Sequence, residues 1–175
     1  GIRDAGAIYA ASTFNAASMM AQQILMQIGQ TGIPCVNVSN ACASGATAFR
    51  EAVIAIKSGM YDVVVAMGAE KNPSGMLASG KSEGPPPEGL FGSGTMPALF
   101  AEAGMVHSSA YGTTIEQFAK VSVKNHYHST MNPKAMYQRE TPLEEVLSSE
   151  MIAWPLTKLM CSVNVDGAAA AVLVS

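Results

Sequence analysis

"CVNVSNACASGATAFREAVIAIKSGMYDVVVAMG" occupies Cys35–Gly68, and its changing periodicity sets the class of fold. "CVNV" (Cys35–Val38) reads as a short strand. The small residues Ala41–Gly45 follow, and a helix opens among them. Phe49, Val53 and Ile56 recur on one face, with Ala48, Ala52 and Ala55 beside them. Gly59 stands where a left-handed helix cap belongs. "DVVVAMG" (Asp62–Gly68) is then continuously apolar and β-branched, as suits a strand buried on both faces of a parallel sheet. Upstream, "AGAIYAA" (Ala5–Ala11) predicts another buried strand. Asn15–Gly29 predicts a helix, capped by Asn15 or Ser18, carrying Met20, Ile24 and Ile28, and ended by Gly29, Gly32 and Pro34. Strand, helix, strand, helix, strand with short links is βαβαβ. The expected class is α/β, a mostly parallel sheet with flanking helices.

After Gly68 the pattern changes. Asn72 to about Ser109 is rich in Gly, Ser and Pro, including "GPPPEG" at Gly84–Gly89, and reads as either a functional lid or a disordered stretch with little regular structure. Thr114 and Gln117 fit a capping box that starts another helix, with Ile115, Phe118, Ala119 and Ser122 on one face. Thr141, Pro142 and Glu144 announce a short further helix. "DGAAAAVLVS" (Asp166–Ser175) reads as a turn and a last buried strand. The expected organisation is an α/β core from residues 1–71 and 160–175, with 72–159 as a loop or lid subdomain.

Composition narrows the function classes. The 175 residues are 49% apolar and 13% charged, against about 25% charged in an ordinary soluble domain. Much of the surface is therefore expected to be covered, by the rest of a larger protein or by a partner. Net charge is −3 with no basic block, which argues against nucleic-acid binding and a polybasic membrane surface. No apolar run approaches the ~18 residues of a membrane span. Three cysteines without a CxxC pair argue against a disulfide scaffold and a structural zinc site, so no metal is expected and a reducing compartment is. The chain opens at Gly1 rather than Met, and an upstream start is expected. The twelve methionines read as adaptable core filler.

Cys42 is the candidate reactive group. It sits where a strand ends and a helix begins, where free N–H groups and the positive end of the helix dipole favour a thiolate. Ligands of α/β sheets also gather at the carboxyl ends of strands. Ala41, Ala43, Ser44 and Gly45 leave room for a substrate, and the backbone N–H of Cys42 can help hold an oxyanion. A small buried residue in a tight turn is the competing reading, and position alone leaves both open. Cys35 and Cys161 read as packing. Lys120 and Lys124 are helical neighbours that either meet phosphates or form a solvated face, the bland reading being favoured. His126 reads as a hydrogen-bonded packing residue, and His107 and His128 have no special case. Glu70 lines a site or caps a turn.

"VNVSNACASGATAFREAVIAIKSGMYDVVVAMGAEK" (Val36–Lys71) resembles the nucleophile region of the thiolase superfamily, with its Asn-x-Cys-x-Ser-Gly type turn and its strand ending in Gly-x-Glu. "YGTTIEQFAKVSVKNHYHSTMNP" (Tyr111–Pro133) and "MCSVNVDGAAAAVLVS" (Met160–Ser175) resemble the sterol-carrier-protein-X branch of that superfamily, an acetyl-CoA acetyltransferase-like group. Ketosynthases carry Thr-Ala-Cys-Ser-Ser-Ser at the nucleophile; Ala43, Ser44 and Gly45 follow Cys42 here, which favours a thiolase. The resemblance implies a thiolase-like fold and the nucleophile-bearing N-terminal part of a thiolase that cleaves or forms 3-ketoacyl-CoA through an acyl-cysteine. Cys42 is then the nucleophile, and Ser162 falls where the family has a serine near the pantetheine arm. Coenzyme A is implied as co-substrate, with no permanently bound cofactor. The family's activating histidine and second cysteine are carried by a C-terminal half absent from these residues. A homodimer or hetero-oligomer with that half, and a small OB-fold subunit, are the implied partners; the implied location is cytoplasmic, or peroxisomal in a eukaryote. By the family pattern a central first strand is also missing, which is expected to leave an open slot in the sheet. A thiolase-fold condensing enzyme or aldolase, and a non-catalytic assembly subunit, are the alternatives.

Overall fold

The computed structural model describes residues 2–29, 32–72, 75 and 94–175. It divides into two compact units, Gly1–Pro73 with Val165–Ser175, and Ser74–Asn164. The "GPPPEG" run at 84–89 lies outside the described residues.

The first unit is a four-stranded sheet, β1 (Ala7–Ala11), β2 (Cys35–Val38), β3 (Val63–Glu70) and β6 (Gly167–Val174), in the order β2-β1-β3-β6. β1 pairs in parallel with β2 and β3, and β6 runs antiparallel to β3. The expected open slot is not there: β1 bonds directly to both neighbours, so each of its edges is satisfied by the sheet.

One core layer is Ile8, Ala10, Ala21, Leu25 and Val65, with Cys35 packed against it. The other is Ala7, Ala52, Ala55, Val64 and Ala66. α2 (Ser44–Lys57) therefore buries Ala48, Ala52 and Ala55, whereas Phe49 is 48% exposed. Helical spacing puts the larger side chains and the alanines on adjoining arcs and does not choose between them. Methyl groups win because they let a helix approach strand residues that are themselves alanine and valine.

The helix expected from Asn15 is broken. A 3-10 turn covers Ala16–Ser18, Met19 takes a left-handed conformation, and α1 runs Met20–Ile28. Its first turn is held from outside: Asn37 on β2 accepts from the Ala21 N–H at 2.9 Å.

The second unit carries α3 (Met96–Tyr111), α4 (Ile115–Ser129), α5 (Leu143–Ser148) and the short hairpin of β4 (Met151–Ala153) with β5 (Leu156–Thr157). α3 corrects the expectation of irregular chain up to Ser109. Its apolar residues surround the helix without a stripe, so no period shows, yet Pro97 in the first turn and Gly112 at φ 70° bound it cleanly. α4 begins with the expected capping box, Thr114 and Gln117 satisfying each other's backbone N–H groups. Val146, Thr141 and Thr157 are fully buried, and the Thr157 hydroxyl donates to the Val146 carbonyl at 2.7 Å.

Candidate active site

Cys42 and the carboxyl end of the sheet form one wall of an open cavity of about 370 Å³ in the first unit. Thr13, Ser44, Gly45, Glu70 and Gly167 complete it. The Cys42 side chain is exposed, at the turn that feeds the first residue of α2. The reading of Cys42 as buried filler therefore does not hold.

The turn that presents Cys42 is strained. Ala41 has φ 44°, which an L side chain rarely adopts. Three donors converge on its carbonyl: the Thr13 hydroxyl at 2.7 Å, the Ser44 hydroxyl at 2.6 Å and the Ser44 N–H at 3.1 Å. The Ser44 hydroxyl also accepts from the Asn40 N–H at 2.8 Å.

Glu70, at the end of β3, both lines the cavity and holds a turn. Its Oε1 accepts from the Ser12 hydroxyl at 3.0 Å, from Asn15 Nδ2 at 2.8 Å and from the Phe14 N–H at 3.2 Å. Its Oε2 accepts from the Thr13 N–H at 2.6 Å. Burial pushes the Glu70 carboxyl up, but the hydrogen bonds from Thr13, Ser12, Asn15 and Phe14 outweigh it and hold the group below the ordinary carboxylate value. Such a carboxylate is occupied as an acceptor and is a poor proton carrier.

Among the described residues, no histidine and no second cysteine lines this cavity. His107, His126 and His128 all belong to the second unit. Ser162 is also there, exposed, on a separate cavity of about 360 Å³ shared with Ser122, His126, Tyr137 and Cys161. Cys42 and Ser162 thus line different cavities. Burial pushes the Cys161 thiol up, and Cys161 lines a cavity rather than packing in a core. Ser122 donates to the Leu159 carbonyl, and His126 Nδ1 is buried without a hydrogen-bond partner among the described residues, its ring centroid 5.5 Å from that of Tyr137. Lys120 and Lys124 are exposed, as on a solvated face. Asp166 does more than turn the chain: its carboxylate accepts from the Asn72 N–H at 2.9 Å, and the Asn72 side chain donates to the Val165 carbonyl. No cluster of three metal-ligating side chains occurs among the described residues, and no helix there is long and apolar enough to cross a membrane.

Sequence reasoning missed Ser12 and Thr13, and gave Asn15 only the role of a helix cap. They are ordinary small polar residues, and their role arises only when β3 brings Glu70 beside them. Ala41 carries no signal either, since left-handed turns usually announce themselves with Gly or Asn.

Residues 6–80 match the family described as thiolase, N-terminal domain. Over 159 residues the chain is 42% identical to sterol carrier protein 2 of Gallus gallus, covering 85% of this chain and 29% of that protein. It is 40% identical over 151 residues to the acetyl-CoA acetyltransferase of Methanothermobacter thermautotrophicus, covering 83% of this chain and 38% of that one. The chain thus spans about a third of the length of these relatives. Among solved structures, the Ltp2-ChsH2(DUF35) aldolase superposes with TM-score 0.73 at 26% identity, over 97% of this chain and 44% of that one. The dimeric peroxisomal thiolase of Saccharomyces cerevisiae superposes with TM-score 0.70 at 16% identity, over 99% of this chain and 52% of that one, a likeness of fold.

Proposed function

We propose, for a chain that belongs to the thiolase superfamily and is related to the N-terminal domain of its sterol carrier protein and acetyl-CoA acetyltransferase members, that it is the nucleophile-bearing part of an enzyme making or breaking carbon–carbon bonds in CoA thioesters. The observation that carries this reading is the exposed Cys42, displayed by a left-handed Ala41 at the head of α2 and at the mouth of an open cavity.

In the degradative direction the Cys42 thiolate attacks the keto carbon of a 3-ketoacyl-CoA. The bond to the α-carbon breaks, its electron pair stays on that carbon and takes up a proton, and acetyl-CoA leaves. The thiol of a second CoA then removes the acyl group from sulfur, restoring Cys42. The Cys42 N–H faces the developing oxyanion. Ser162 contacts the pantetheine arm, residues 72–159 serve as the lid, and the proton-handling histidine and cysteine come from a complementary half. A dimer, a small partner chain, and a cytoplasmic or peroxisomal location belong to the same proposal.

A second reading is an aldolase. It is supported by the 26%-identical aldolase structure, which superposes over 97% of this chain. Such an enzyme cleaves a 3-hydroxy carbonyl compound and forms no acyl-enzyme. Incubation of the complete protein with acetyl-CoA or a 3-ketoacyl-CoA, and separately with a 3-hydroxyacyl-CoA, followed by product analysis and peptide mass spectrometry, separates the readings. An acyl group on Cys42 that vanishes in Cys42→Ser supports the thiolase. Carbon–carbon cleavage with an unmodified Cys42 supports the aldolase, and neither result in a folded protein supports a non-catalytic subunit.

A further inference from the structure

We propose that Thr13 is a positioning residue for the Cys42 peptide, aiming its N–H at the oxygen of the acyl group under attack; this rests on Cys42 being the nucleophile. The Ala41 carbonyl and the Cys42 N–H lie in one trans peptide plane and point in opposite directions within it. Whatever holds the carbonyl therefore aims the N–H. Both Ser44 donors lie three residues along the same turn and move with it. Thr13 is different: its hydroxyl reaches the carbonyl at 2.7 Å from 28 residues away, on the segment that follows β1.

Thr13 is itself held. Its N–H donates to Glu70 Oε2 at 2.6 Å, and Glu70 is the last residue of β3. The order of support runs from the sheet, through Glu70 and Thr13, to the Ala41 carbonyl and so to the Cys42 amide. The clamp also opposes relaxation of Ala41 out of its left-handed conformation. Donors on the carbonyl polarise the peptide and strengthen its N–H as a donor in turn.

The step affected is acyl transfer. With acetyl-CoA, Cys42 Sγ bonds to the carbonyl carbon and the oxygen gains negative charge beside the Cys42 N–H. Collapse breaks the bond to the CoA sulfur, which leaves as a thiolate and takes the proton that Cys42 had shed. Alkylation by iodoacetamide also consumes the Cys42 thiolate but builds no oxyanion. The two reactions therefore separate sulfur access from the aim of the amide.

The test compares the complete parent protein with Thr13→Val, which keeps side-chain shape and removes the hydroxyl, and with Thr13→Ser, which restores it. Mass spectrometry of the Cys42 peptide reads both rates at one fixed pH. In Thr13→Val, acetylation by acetyl-CoA is expected to fall about tenfold or more, alkylation to stay within about twofold, and Thr13→Ser to recover most of the acetylation. Equal acetylation in parent and Thr13→Val overturns the proposal, and so does an equal loss of both reactions, which makes Thr13 a scaffold only. If Thr13→Val does not fold, Thr13→Ala is held to the same criteria. A parent whose Cys42 alkylates but never acetylates overturns the underlying thiolase reading, and this proposal with it.

Discussion

Glu70 shows how one side chain acquires its importance from its surroundings. In the sequence Glu70 reads as lining a site or capping a turn, and the structure gives it both roles, because four donors from residues 12–15 converge on it at the edge of the Cys42 cavity. Its folded value lies below the unfolded one. Its contribution to stability is therefore fully present above the unfolded carboxylate value and is lost as pH falls through the lowered folded value. Glu70→Gln is expected to cost about 1–2 kcal/mol at neutral pH, the charged hydrogen bonds being discounted for solvent access. Urea melts of parent and variant should converge as the pH is lowered past the Glu70 value. A difference that stays constant down to acid pH would remove the electrostatic account. Cys42 was legible as a candidate from its place before a helix. The Thr13 clamp was not, because it depends on a contact 28 residues distant.

At the scale of elements, the sheet strands and the start of α4 were legible because they follow local rules: β-branched runs, and a capping box four residues long. The buried face of α2 was not. Periodicity places Ala48, Ala52 and Ala55 beside Phe49, Val53 and Ile56, and both arcs look capable of facing a core. Only the depth available over β1 and β3 chooses the alanines. Ala52 is fully buried, so Ala52→Leu forces added carbons into a closed layer and is expected to destabilise by about 1–3 kcal/mol. Thermal or urea denaturation of the first unit measures it. Phe49→Leu, on the exposed arc, should change stability by less than about 0.5 kcal/mol. The break at Met19 also escaped prediction, since nothing in Asn15–Ile28 signals a left-handed residue there.

For the molecule as a whole, low charge agrees with a surface on which large apolar side chains stand open. Val106 is 70% exposed, Val172 67% and Phe100 65%. The 175-residue chain alone is expected to bind a hydrophobic-surface dye while still folded, and to scatter more light as concentration rises through the micromolar range. A monodisperse monomer with no dye binding would contradict this.

By itself the sequence determined the α/β class, the strand-to-helix position of Cys42 and the thiolase kinship, because alternation, helical spacing and a nucleophile turn are short-range properties written in consecutive residues. Tertiary structure alone decided that β1 bonds directly to both β2 and β3, that alanines face the sheet, and that Glu70 and Thr13 hold the Cys42 turn. Those outcomes depend on which distant residues meet, and hydrogen bonds and packing depth exist only once the strands have assembled.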